Sequence, residues 1–134
     1  MTRPEVCVGA VVVDDERLLL VRRGHGPAAG EWSIPGGRVE AGEVLAEAVL
    51  RELREETGVE GVCGPLLCVV ELVDDDHHFV ILDHVVTLLE PQDPVAGDDA
   101  AEAAWVPLDE VCERRLVEGL AEVLHEHGVL DVIV

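Results

Sequence analysis

The chain reads as a single α/β domain in which a mixed β-sheet carries a helix on each face. Three observations predict this. Residues 5–13 and 17–23 are apolar, partly β-branched runs separated by a polar turn. Residues 45–57 show a helical period without glycine or proline, and a second pair of strand-like runs is followed by another helical stretch near the C-terminus. Strands before, between and after two helices place the sheet between them. At 134 residues the chain fits one domain, residues 1–134, able to bury roughly two-thirds of its unfolded surface.

The elements follow in order. The first two runs form a hairpin about Asp14 and Asp15. Residues 24–30, which contain three glycines and a proline, form a loop leading into Trp32-Ser33-Ile34-Pro35-Gly36-Gly37. The helix at 45–57 ends at Gly58, a natural residue for the left-handed exit. Strands at 66–73 and 79–89 are joined by the polar turn at 74–78, and a loop covers 91–99. Residues 104–106 form a short strand, and 108–127 reads as one amphipathic helix closed by Gly128. The apolar tail at 129–134 is expected to be a final strand or a homodimer interface.

Twenty-nine acidic residues against nine arginines and no lysine set a formal net charge of −20. Such a surface repels polyanions, so neither nucleic acid nor an anionic membrane is an expected partner. An anionic substrate needs a bound cation to mediate its approach. Cys7, Cys63, Cys68 and Cys112 form no Cys-x-x-Cys pair and read as buried, reduced thiols. No secretory signal pattern or membrane-length apolar run is present, so a cytoplasmic location is expected.

The informative stretch runs Gly37-Arg38-Val39-Glu40-Ala41-Gly42-Glu43, then seven residues, then Arg51-Glu52-Leu53-Arg54-Glu55-Glu56-Thr57-Gly58-Val59. At about 100° per residue, Glu52, Glu55 and Glu56 share one patch of the helix surface. Leu45, Val49, Leu50 and Leu53 occupy an adjoining arc that can pack on the sheet. Like charges at this spacing repel by a few tenths of a kcal/mol per pair. A hard divalent cation such as Mg²⁺ or Mn²⁺ would turn that repulsion into a phosphate-binding site. On charge alone a solvated acidic face is the first reading, but the spacing overturns it.

Glycine, five residues, glutamate, seven residues, then Arg-Glu-apolar-x-Glu-Glu-x-Gly-apolar resembles the Nudix box at every defined position. The flanks at 32–37 and 104–108 also resemble that hydrolase family, in its MutT-like or ADP-ribose pyrophosphatase-like branches, so the likeness spans most of the chain. It implies a Nudix-type α-β-α sandwich. It also implies that Glu52, Glu55 and Glu56 bind the divalent metal, Mg²⁺ or alternatively Mn²⁺, with the Gly37 carbonyl a further ligand. Arg51 and Glu43 would then orient these ligands, since a long arginine side chain can reach Glu43.

The implied reaction is attack by water on one phosphorus of a diphosphate in a nucleoside diphosphate derivative. A carboxylate is the expected general base: Glu52 or Glu55, or an acid between 91 and 103, where Asp98, Asp99 and Glu102 stand and Glu102 is favoured. Either Arg22 or Arg23, adjacent on a strand and pointing to opposite faces, can enter the cleft and grip a phosphate, and Arg23 is the named candidate. The proline and tyrosine that mark the ADP-ribose and diadenosine-polyphosphate branches are absent near Asp75-Asp76-His77. A nucleoside triphosphate, an oxidised nucleotide or an ADP-ribose-like sugar nucleotide remains as substrate. The alternative is a catalytically silent Nudix-fold ligand sensor or interaction module, although every acidic position of the box is kept. The histidines and aspartates at 74–78 read as ordinary turn residues.

Overall fold

The computed structural model describes residues 3–97 and 99–131. Its elements are β1 (Glu5–Asp14), β2 (Arg17–Arg23), β3 (Trp32–Ser33), β4 (Gly36–Arg38), α1 (Leu45–Thr57), β5 (Val62–Val73), β6 (His78–Thr87), β7 (Ala100–Pro107), a 3₁₀ helix (Leu108–Glu113) and α2 (Leu120–Glu126).

β1 is the spine of the sheet. It runs parallel to β6 from Glu5↔Phe79 to Val12↔Val86. It pairs antiparallel with β4 through Cys7, Val8 and Gly9, and with β2 through Val13 and Asp14. β5 closes on β6 at one edge, while β2 carries β3 and β7. The expected mixed sheet is therefore present.

Alternation along the strands sends Val8, Ala10, Val12 and Leu19 to one face, where they meet Val49 and Leu53 of α1. Val11, Leu18 and Leu20 face the other way, onto Trp32, Val106, Leu120 and Leu124. One helix thus covers each face, over a core built mainly from valine and leucine. Val49 and Leu53 are fully buried, each worth roughly 1.5–3 kcal/mol of apolar transfer, and together they fix which side of α1 looks inward. Leu45, expected on that inner arc, is instead exposed at the start of the helix.

Several elements depart from the sequence reading. The hairpin turn falls on Asp15 and Glu16, both at positive φ, one residue later than expected. β5 starts at Val62 because bulges between Cys63, Leu66 and Cys68 absorb Gly64 and Pro65. β7 reaches back to Ala100, since it pairs along the whole of β2. The helix expected over 108–127 is broken. Leu116 bridges Trp32, whose N–H donates to the Arg115 carbonyl and whose carbonyl accepts from the Val117 N–H. That long-range pairing overrides helical propensity. Chain direction recovers at Gly119, φ 85°, from which α2 starts. Leu130 packs into the core beneath α2, so it offers no outward interface. Residues 132–134 of the expected tail lie outside the described residues.

The four cysteines are free, with Cys7 and Cys68 buried and the other two half-buried. Among the described residues no helix is long and apolar enough to cross a membrane.

Candidate active site

The site forms where α1 passes the short edge strand β4. The helix has the bounds its periodicity predicts, and Gly58 leaves it at φ 71° with its N–H on the Arg54 carbonyl. Thr57, fully buried, donates its hydroxyl to the Leu53 carbonyl and accepts from the Val59 N–H. The last turn, which carries Glu55 and Glu56, is therefore tightly closed.

Gly36 and Gly37 let that turn approach. A Cβ on Gly36 would stand 2.3 Å from the Val8 carbonyl oxygen, and one on Gly37 would stand 2.5 Å from Glu52 Cδ. With no side chain in the way, the Gly36 N–H donates to Glu56 Oε1 at 3.2 Å. Glu56 also faces the negative charge of the Glu52 carboxylate. Burial first, and the neighbouring Glu52 second, push the Glu56 carboxyl up to about 8. Two carboxylates this close cannot both ionise without a cation or a proton between them.

Arg51 ties the acids together. Its Nε and Nη2 donate to the two oxygens of Glu43 at 2.6 and 3.0 Å, and Nη1 donates to Glu52 at 2.8 Å and Glu55 at 3.1 Å. Nη2 also reaches the Arg38 carbonyl at 2.9 Å. Side-chain exposures of 14% for Arg51 and 12% for Glu43 separate this from an exposed surface pair. Arg51 in turn holds the Glu43 carboxyl at about 2, assisted by the Glu40 N–H. Glu43 lies before the helix rather than on it, in a turn closed by Gly42 at φ 83°.

The fit to a divalent cation can be tested on these groups. Hard oxygen donors converge from Glu52 and Glu56, half-buried against a backbone ridge, and Glu55 stands beside them. Among the described residues no trio of His, Cys, Asp or Glu is already closed into a metal cage; Arg51 Nη1 stands between Glu52 and Glu55. The donor chemistry suits Mg²⁺ or Mn²⁺, and a cation entering beside Arg51 would relieve the Glu52–Glu56 repulsion.

The other sequence candidates divide. Arg23 donates from Nε to the Pro27 carbonyl at 3.0 Å, and its charge is felt at Glu56, which it lowers. Arg22 faces away and pairs with Glu102 at 3.4 Å. Glu102 lies on β7 rather than on a loop, opposite Arg22 and on the sheet face that Ala104 and Val106 share with Leu20. The structure therefore does not bring it to the glutamates. Asp99 pairs with His25 at 3.3 Å, and Asp98 lies outside the described residues. A concavity of about 570 Å³ beside Leu50 and Arg54 flanks another side of α1 and is lined by none of the three glutamates.

Three contributors were missed in the sequence: the Gly36 N–H, the Arg38 carbonyl and the contact of Gly97 with the end of α1. The double glycine was a signal for the first, since adjacent glycines often mark close backbone approach. Nothing in the sequence signalled the other two.

The NUDIX domain family model matches residues 3–127. The ADP-ribose pyrophosphatase of Methanocaldococcus jannaschii is 37% identical over 111 residues, covering 79% of this chain and 63% of that protein. The human 8-oxo-dGDP phosphatase NUDT18 is 31% identical over 108 residues, covering 78% of this chain and 33% of that protein. The chain thus spans under two-thirds of the length of these relatives. Among solved structures, a MutT NUDIX hydrolase from Burkholderia pseudomallei superposes with a TM-score of 0.81 at 32% identity, covering 92% of this chain and 97% of the other.

Proposed function

The chain belongs to the NUDIX domain family, and from that premise we propose that it is a divalent-metal-dependent pyrophosphohydrolase that cleaves a diphosphate linkage in a nucleoside diphosphate derivative. The observation that carries this reading is the packing of Glu52 and Glu56 on the Gly36-Gly37 ridge, with Arg51 spanning Glu43, Glu52 and Glu55.

Glu52, Glu55 and Glu56 would hold the cation, with the Gly37 carbonyl beside them as a further oxygen donor. When bound, Mg²⁺ or Mn²⁺ supplies charge neutralisation on the substrate's non-bridging oxygens and acidifies the attacking water. The chain's own residues do the rest. Arg51 and the Gly37 surface fix the Glu52 carboxylate in one orientation, which suits it to take the proton from water. Glu43 fixes Arg51 through two parallel hydrogen bonds, a geometry that lysine cannot reproduce. Arg23 supplies a positive charge on the Glu56 side for a phosphate oxygen. Glu102, paired with Arg22 on the opposite face, takes no part in this scheme.

The relatives act on ADP-ribose and 8-oxo-dGDP according to their names. They support, together with the sequence reading, a proposed substrate range of a sugar nucleotide such as ADP-ribose, a nucleoside triphosphate, or an oxidised nucleotide. A surface of net charge −20 favours a small substrate arriving with its own cation over a polyanionic chain. The four free thiols fit a reducing, cytoplasmic setting.

The test is a panel of these nucleotides with Mg²⁺, followed by phosphate-product detection with and without EDTA. Metal-dependent cleavage of at least one supports the reading. No cleavage of any, with intact binding, would favour a silent ligand sensor.

A further inference from the structure

Residues 92–97 form a strap drawn across the carbonyl end of α1. The Val95 N–H donates to the Thr57 carbonyl and the Gly97 N–H to the Glu56 carbonyl, each at 2.8 Å. Gln92 anchors one end: its amide accepts from the Glu60 N–H at 2.8 Å and donates to the Glu60 carbonyl at 2.7 Å. The Trp105 indole N–H holds the Gln92 carbonyl at 2.8 Å. Separately, the Gly24 N–H donates to the Asp99 carbonyl at 3.0 Å.

Gly97 sits so close to the helix that a Cβ there would be 1.9 Å from the Glu55 carbonyl oxygen and 3.0 Å from its carbon. Both atoms are backbone, so neither can rotate aside. Glu56 is consequently gripped twice, by Gly36 on its carboxylate and by Gly97 on its carbonyl. At the other end of α1, Val44 makes no side-chain capping bond. The helix is fixed at the end that carries the glutamates.

We infer that Gly97 is a positioning residue for the metal-binding carboxylates: the strap seats on the main chain of Glu55 and Glu56 and sets where their side chains stand relative to Gly36 and Gly37. This rests on the reading of Glu52, Glu55 and Glu56 as the cation site. Displacements near 1 Å from the reacting centre can cost on the order of a hundredfold in rate, and a Cβ at Gly97 forces a shift of about that size.

The test measures Mn²⁺ binding by titration, together with kcat and KM, on Gly97→Ala, Val95→Pro and Gly64→Ala. Gly64→Ala is the structural control, because its Cβ would press on the Val85 carbonyl at 3.0 Å, away from the strap and the glutamates. For folded Gly97→Ala the expected results are about fivefold weaker Mn²⁺ binding, kcat at least about tenfold lower and KM within about twofold. Val95→Pro removes one strap hydrogen bond from an exposed position and should shift the same quantities the same way, by about twofold to threefold. Gly64→Ala should lower Tm and leave Mn²⁺ affinity and kcat unchanged. Wild-type Mn²⁺ affinity and kcat in Gly97→Ala would overturn the inference, as would wild-type values in Val95→Pro if Gly97→Ala does not fold. Failure of the unsubstituted protein itself to bind Mn²⁺ would overturn the cation site and the inference with it.

Discussion

The Glu52 carboxylate lies flush on Gly37: a methyl group added at Gly37 would stand 2.6 Å from both of its oxygens. The colliding group is the end of a flexible side chain, so Gly37→Ala should cost little stability while turning Glu52 away from its partners. About a hundredfold loss of kcat, with Tm lowered by only a few degrees, is expected. Steady-state kinetics and a thermal melt on the same preparation check it. Unchanged kcat would show that the close approach has no role in turnover.

Arg51 bridges Glu43 and two further acids, and its fork geometry is the reason a flexible ammonium cannot replace it. Arg51→Lys keeps the charge but loses the paired hydrogen bonds to Glu43. A fall in kcat of about tenfold to a hundredfold is expected, with KM little altered. The measurement is a kcat and KM comparison at saturating Mg²⁺. Equal loss in KM and none in kcat would assign Arg51 to substrate binding instead.

How much of this was legible before folding depends on range. The helix bounds, the Gly58 exit and the three-glutamate patch follow from local period and residue type, and the structure keeps them. The face of Glu102 was not legible, because it depends on the β2–β7 register, Arg22↔Glu102. The break in the expected C-terminal helix depends on Trp32 pairing with Leu116, a contact between residues far apart in sequence. The Gly97 contact sits in a segment with no periodicity, and only its backbone meets the helix.

Asp83 offers a test away from the glutamates. It is 5% exposed, its Oδ1 has no hydrogen-bond partner, and it lies over Gly9, where a Cβ would be 2.1 Å from that oxygen. Burial pushes its carboxyl up to about 6. Its folded pKa is above the ordinary value near 3.8, so the folded state binds the proton more tightly and loses stability as pH rises between the two values. Above about 6 the cost is complete.

Asp83→Asn removes that cost. Near neutral pH it should raise stability, on the order of 2 kcal/mol, and flatten the decline between pH 4 and 6. Denaturant unfolding at several pH values measures both. A destabilised variant with the decline intact would show that the ionised carboxylate is satisfied by a partner.

The central claim is that Glu52, Glu55 and Glu56 hold the cation that drives diphosphate cleavage, and Glu56→Gln tests it most directly. The amide can keep the Gly36 hydrogen bond and the fold but cannot ionise to meet the cation. Initial rates on the best nucleotide from the panel, with saturating Mg²⁺, should fall at least about a hundredfold with far-UV circular dichroism unchanged. Near-wild-type turnover in Glu56→Gln would contradict the assignment of this patch as the metal site.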